Sequence, residues 1–187
     1  MAFYFVRHGQ TNWRPEDIPK GPQDLSLNAE GRQQAQRAAI AIQSLAGTFS
    51  NAKIVSRTLH RARETAEVIA GITQIPILAY EEGLKERYYG DYRLVADISD
   101  IPPDAETTAY FEQRVMKAFL KVQKIYPAQP LIIVAHHRVF EYLSQTLAGH
   151  PQTLTQGGIC HCTSQHDGTW HLDILSVNKK ITKKNTA

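Results

Sequence analysis

An arginine, a histidine and a glycine stand in a row, Arg7-His8-Gly9, directly behind the short apolar run Phe3-Tyr4-Phe5-Val6. A strand that stops this way delivers a cation, an imidazole and a close backbone approach to one spot, which is the equipment of a phosphate site. Alone the tripeptide is an ordinary turn, so its meaning depends on company. A second histidine, His136, follows a second apolar run, Leu131-Ile132-Ile133-Val134-Ala135, and is itself followed by His137 and Arg138. If the two strands were adjacent in a sheet, their carboxyl ends would bring His8 and His136 together.

The elements that must position these residues read as strands alternating with helices. Asn12 to Gln23 carries Pro15, Pro19, Gly21 and Pro22, a breaker density that marks a surface loop. Asn28 is a candidate N-cap for a helix with apolar positions Ala35, Ala38, Ala39, Ile42 and Leu45 that closes near Gly47. Ile54-Val55 reads as a second strand, His60 to Ala70 as a helix closed by Gly71, and Ile77 to Ala79 as a third strand. A long helix is expected from Thr107 to Tyr126, with Phe111, Val115, Ala118, Phe119, Val122 and Ile125 as its stripe. The run 131–135 has the continuous apolarity of a strand buried on both faces, and a helix from Val139 to Leu147 follows. Ile159 to Thr163 and Trp170 to Leu175, joined through His166-Asp167-Gly168, form a closing strand pair. The pattern predicts an α/β fold, a three-layer α/β/α sandwich with a mostly parallel central sheet, whose ligands bind beyond the carboxyl ends of the strands.

Composition sets the outer bounds. The 187 residues suit one domain, expected over 1–176, followed by a basic, flexible tail at 177–187 that holds Lys179, Lys180, Lys183 and Lys184. A formal charge of +3 is far from the dense basic patches of a nucleic-acid binder and fits a small anionic ligand better. No apolar stretch approaches the roughly twenty residues that cross a bilayer, and the run before Arg7 is too short for a signal-peptide core, so the chain is placed in the cytoplasm without membrane contact. The cysteines, Cys160 and Cys162, would share one face of a strand, a spacing that disfavours a mutual disulfide. Alternation sends His161 to the opposite face, so Cys160-His161-Cys162 is read as structural strand and no metal site is expected. No glycine-rich nucleotide loop is present, and no cofactor is expected.

Four segments taken in order, Arg7 to Thr11, Ser56 to Ala66, Leu84 to Gly90 and Val134 to His136, resemble the histidine phosphatase superfamily, in the branch of phosphoglycerate mutases and small bacterial phosphatases. The resemblance runs from about residue 3 to residue 175 and implies a phosphoglycerate mutase-like sheet. It makes His8 the nucleophile that accepts the phosphoryl group and Arg7 a ligand of its oxygens. The family's spacing of serine, leucine, arginine, alanine and a threonine-alanine pair matches Ser56, Leu59, Arg61, Ala62, Thr65 and Ala66, so Arg61 becomes the second phosphate arginine. Glu86 matches the proton donor, with Glu81 and Glu82 as close rivals, and His136 matches the second active-site histidine. Gly9, Gln10, Thr11, Arg14 and His137 are the further candidates for phosphate or substrate contact.

The chemistry is coherent on its own terms. Phosphate monoesters hydrolyse extremely slowly unaided, so catalysis must come from positioning and from cations aimed at the phosphoryl oxygens. Two arginines and a second imidazole can supply that charge without metal. A neutral imidazole splits hydrolysis into two displacements through a phosphohistidine if an acceptor, for which the Gly9 carbonyl is the candidate, holds its other ring nitrogen. Glu86 would protonate the leaving oxygen and then take a proton from water, which needs a raised pKa.

Two departures from the family pattern concern the substrate. An asparagine common after the first motif is replaced by Arg14, beside Trp13, and the glycine common after the second histidine is replaced by His137. The resulting pocket is expected to be smaller and more basic than usual. The stretch from Asp91 to Asp104 is short and polar, without the longer insertions of phosphoglycerate mutases, which favours a phosphatase acting on a small phosphorylated metabolite or a phosphorylated protein. The alternatives are a mutase-type phosphotransferase and an inactive phosphate- or phosphoprotein-binding module.

Overall fold

The computed structural model describes residues 1–12, 24–45, 51–91, 94, 97, 100–127 and 129–175. Arg14, Trp13, the expected helix end at Gly47 and the 177–187 tail lie outside the described residues.

Six strands form one sheet: β1 (Ala2–Arg7), β2 (Lys53–Ser56), β3 (Ile77–Tyr80), β4 (Leu131–Ala135), β5 (Ile159–Ser164) and β6 (Trp170–Leu175), in the order β3-β2-β4-β1-β5-β6. Strands β3, β2, β4 and β1 run parallel, and β5 and β6 close the sheet antiparallel. Parallel strands need crossovers, which the helices α1 (Ala29–Ser44), α2 (His60–Thr73) and α3 (Thr108–Ile125) supply, while α4 (His137–Ala148) leads from β4 to the antiparallel β5.

Alternation along the strands divides the core into two layers. Phe3, Phe5, Leu131 and Ile133 pack with Phe111, Val115 and Phe119 of α3 and Val139 and Phe140 of α4. Tyr4, Val6, Ile132 and Val134 pack instead with Ala38, Ala39 and Ile42 of α1 and Ala62, Ala66 and Ile69 of α2. Each fully buried side chain of this size contributes about 1.5–3 kcal/mol. The three-layer α/β/α arrangement follows, with β4 buried at every position because both its faces are covered.

Two boundaries differ from the sequence reading, each for a local reason. Helix α2 does not stop at Gly71, which sits in open space within the helix; it ends at Gln74, which takes the left-handed conformation with φ 60°. Helix α4 begins two residues earlier than Val139, because His136 is already its N-cap and the polar pair His137-Arg138 forms its first turn. Helix α3 buries Phe111, Val115, Ala118, Phe119 and Val122 of the expected stripe but leaves Ile125, its last residue, exposed, and it is capped by Thr107, whose hydroxyl accepts from the Tyr110 N–H.

Cys160 and Cys162 are both buried, with their sulfurs 3.8 Å apart and no disulfide between them, while His161 stacks on Tyr4 with ring centroids 4.3 Å apart. The three side chains therefore do not converge on one point. Among the described residues no helix is long and apolar enough to cross a membrane.

Candidate active site

Strands β1 and β4 are hydrogen-bonded neighbours, with Arg7 opposite Ala135, so the residues that follow them share one edge of the sheet. The His8 N–H donates to the Ala135 carbonyl at 3.0 Å, and the rings of His8 and His136 meet edge to face with centroids 5.1 Å apart. Both side chains are buried. A cavity of about 250 Å³, lined by Met1, Phe3, Gln123 and Pro130 among others, lies at the opposite, amino end of β1 and β4 and takes no part in this cluster.

The Nδ1 of His8 is 2.7 Å from the Gly9 carbonyl. A carbonyl only accepts, so Nδ1 carries the proton and Nε2 presents its lone pair. Burial first, and then the Arg61 charge, lower the His8 pKa to about 3 against the opposing pull of the Gly9 carbonyl, with Arg7 and His137 adding to the decrease. The imidazole is thus neutral, the form a nucleophile requires.

Gly9 is needed for a reason other than phosphate contact. A Cβ on Gly9 would stand 2.3 Å from the Gly31 carbonyl oxygen, and one on Gly31 would stand 2.0 Å from that of Gln10. The β1 exit and the start of α1 therefore touch backbone to backbone. The Gly9 N–H donates to the Thr65 hydroxyl at 3.1 Å, and that hydroxyl donates to the Arg61 carbonyl at 2.7 Å. Thr65 thereby ties the His8 turn to the segment that carries Arg61. Gln10 serves the same joint: its N–H donates to Gln34 and its side-chain oxygen accepts from Asn28, the N-cap of α1. Thr11 bridges to Leu27.

Arg7 donates through Nη1 to the Leu154 carbonyl at 2.6 Å, while its Nε is buried with no hydrogen-bond partner among the described residues. Arg7 and Arg61 both have pKa values lowered by burial and opposed by the charge of Glu86, which places the carboxylate in the field of both guanidinium groups. Glu86 itself is pushed above the usual carboxylate range by burial, against hydrogen bonds from the Arg87 and Arg138 N–H groups and the charges of Arg61 and Arg7. Its rivals are occupied elsewhere, since Glu81 pairs with Lys121 at 2.7 Å and Glu82 pairs with Arg57 at 2.7 Å.

His136 has both ring nitrogens buried without a partner among the described residues, and burial, then the neighbouring His8 ring and the Arg61 charge, hold its pKa well below the ordinary value. His137 is half-buried, with an Nδ1 that has no partner among the described residues and a pKa lowered by burial and then by Arg7. Buried polar groups left unpaired cost about 1–3 kcal/mol each. Their gathering at one strand edge matches the needs of an anion rich in acceptor oxygens.

Sequence reasoning missed Arg57. It is buried, forms the Glu82 pair, donates to the Thr58 hydroxyl, and adds its charge to the surroundings of both Arg61 and His136. Its position directly after β2, beside Ser56, was the available signal. Thr65 was matched only as part of a spacing pattern, and its double hydrogen bond has no sequence signature.

This edge gathers a neutral histidine, a second imidazole, two half-buried arginines and a carboxyl of raised pKa on an α/β sheet, a set whose chemistry suits phosphoryl transfer. The chain belongs to the histidine phosphatase superfamily, branch 1, whose family model matches residues 3–170. It is an enzyme of that phosphatase family. It is 29% identical over 192 residues to the PhoE phosphatase of Bacillus subtilis, whose name describes it as uncharacterized, covering 97% of each chain. It is 25% identical over 169 residues to the adenosylcobalamin/alpha-ribazole phosphatase of Escherichia coli, with 81% of each covered. Its fold is that of Bacillus stearothermophilus YhfR, at a TM-score of 0.75 and 24% identity over 94% of this chain and 98% of that one.

Proposed function

We propose that this protein hydrolyses the phosphate monoester of a small metabolite, without a metal ion, through a phosphohistidine on His8. The observation that carries this reading is the His8 ring, neutral and with Nδ1–H held by the Gly9 carbonyl, beside Arg7, Arg61 and His136.

In the first step His8 Nε2 attacks phosphorus, the bond from phosphorus to the ester oxygen breaks, and that oxygen takes the proton of Glu86. Burial raises the Glu86 pKa, which favours the protonated form this step needs. In the second step water attacks the phosphorus of phospho-His8 and gives its proton to the Glu86 carboxylate. The nitrogen–phosphorus bond breaks, inorganic phosphate leaves, and both groups return to their starting states. Arg7, Arg61 and a ring N–H of His136 stabilise the charge on the phosphoryl oxygens.

The substrate class follows the relative of Escherichia coli, whose name gives a small phosphorylated compound as its substrate. His137, half-buried in the first turn of α4 with an Nδ1 that has no partner among the described residues, suits a polar group of the substrate. The test is acid-labile phosphate on the protein after mixing with substrate, together with turnover of a panel of phosphometabolites and phosphopeptides. Wild type is expected to trap phosphate and turn over metabolites; His8→Ala is expected to do neither. Full activity in His8→Ala would overturn the mechanism, and activity confined to phosphopeptides would overturn the substrate class.

A further inference from the structure

Glu86 can act as an acid and then as a base only if its carboxyl stays fixed relative to phosphorus, yet it sits on a segment that is neither helix nor strand. The segment follows a single 3₁₀ turn, Glu82–Leu84. Three observations show how it is held. Leu84 is fully buried, which plants the turn in the core against α3. Gly83 lies so close to α3 that a Cβ there would stand 2.5 Å from the Ala118 Cβ and 3.0 Å from the Arg114 carbonyl oxygen.

The third observation is Arg114 itself. Its Nη1 donates to the carbonyls of Gly83 at 2.9 Å and Lys85 at 2.8 Å, and its Nη2 donates to the Glu86 carbonyl at 3.1 Å and to Glu106 Oε2 at 2.7 Å. Its Nε donates to Glu106 Oε1 at 2.5 Å. A guanidinium has five N–H donors in a rigid plane, and this one places all five. Glu106 in turn accepts the Tyr88 N–H at 3.2 Å, so backbone groups on both sides of Glu86 are gripped by one ion pair. The pair is nearly sealed from solvent, with side chains 10% and 5% exposed, and the guanidinium lies over the Phe111 ring at 4.9 Å.

The far end of Glu86 is held separately. Its carboxylate accepts the Arg138 N–H at 3.2 Å in the first turn of α4, whose N-cap residue His136 makes no side-chain capping bond. A carboxylate at that place completes the helix terminus that His136 leaves open. His136 is thereby released for the phosphoryl site.

We infer that Arg114, locked by Glu106, is the positioning residue that fixes Glu86 for proton transfer to the leaving group, an assignment that rests on the role proposed for Glu86 above. Ion pairs on a surface are of little consequence, whereas this one is buried, bidentate and spent on the backbone of a catalytic segment.

The leaving group provides the test. General acid catalysis is worth roughly 10²–10⁴-fold for a poor leaving group such as an alkoxide, and far less for p-nitrophenolate, which departs without a proton. Arg114→Lys keeps the charge but cannot span the three carbonyls and the carboxylate. It is expected to lower kcat/KM, which reports the phosphorylation step and not the shared hydrolysis of phospho-His8, about tenfold or more on an alkyl phosphate but less than about threefold on p-nitrophenyl phosphate. Glu106→Gln, which keeps the shape and one acceptor, is expected to show the same selectivity at smaller size. In a Glu86→Gln background Arg114→Lys should cost nothing further. Equal losses on the two substrates, losses that add to those of Glu86→Gln, or no loss in a folded variant would each overturn the assignment. If Arg114→Lys fails to fold, Glu106→Gln alone decides by the same ratio. A wild-type protein that traps no phosphate, or a Glu86→Gln variant without leaving-group selectivity, would instead overturn the reading of the site on which this role depends.

Discussion

Acid should unfold this protein partly through His8. In the folded chain the His8 pKa is lowered from 6.5 to about 3, chiefly by burial and by the Arg61 charge, whereas the unfolded chain takes up the proton near 6.5. Between those values the unfolded state binds one more proton than the native state, so stability rises with pH and falls as pH drops. Each pH unit in that window is worth about 1.4 kcal/mol, which gives about 3 kcal/mol lost by pH 4 and about 4 kcal/mol by pH 3 from this residue alone. His8→Asn removes the titration while its side-chain N–H can still reach the Gly9 carbonyl that now accepts from Nδ1. Urea unfolding of both proteins at half-unit steps from pH 7 to pH 4 isolates the effect, because His136 contributes with the same sign in each. The wild-type stability should fall more steeply, by up to about 1.4 kcal/mol per pH unit. Parallel curves would show that His8 protonates in the folded state at an ordinary pH, and the neutral nucleophile would be lost from the argument.

Two further outcomes are expected. In pH–rate profiles of kcat/KM, activity on an alkyl phosphate should fall as pH rises through the elevated pKa of Glu86, since the acid must begin protonated, and Glu86→Gln should lose that limb; a limb that persists in the variant would assign the proton to another group. Thr65→Val leaves the Gly9 N–H buried and unpaired and should cost about 1–3 kcal/mol in denaturant unfolding, with Thr65→Ser close to wild type.

Which features were legible in the sequence depended on whether their cause was local. The bounds of β4 were read correctly because a strand covered on both faces is apolar at every position, and its ends fall at Pro130 and His136. The start of α4 was read late for the opposite reason. Its first turn is the polar pair His137-Arg138, which is helical because His136 ends the strand and caps the helix at once, while the apolar period starts only at Val139. Gly71 looked like a helix stop, yet nothing in its surroundings asks for one, and α2 runs on until Gln74 adopts the left-handed turn. Arg114 escaped notice altogether. It interrupts the apolar stripe of α3 as any surface residue would, and its five donors find partners only after the turn of residues 82–84 folds onto that helix.

By itself, the sequence determined that His8 and His136 each stand at the carboxyl end of a strand, next to cations, since apolar runs and the residues that break them are adjacent in the chain. Only the tertiary structure decided that these ends are neighbours, through the pairing of β1 with β4, and that burial there holds one imidazole neutral while raising the carboxyl of Glu86. Desolvation is a property of everything packed around a group, and most of what surrounds His8 and Glu86 comes from distant parts of the chain. The same holds for the Arg114–Glu106 grip on the Glu86 segment, where two residues of the α3 region meet a turn from earlier in the sequence.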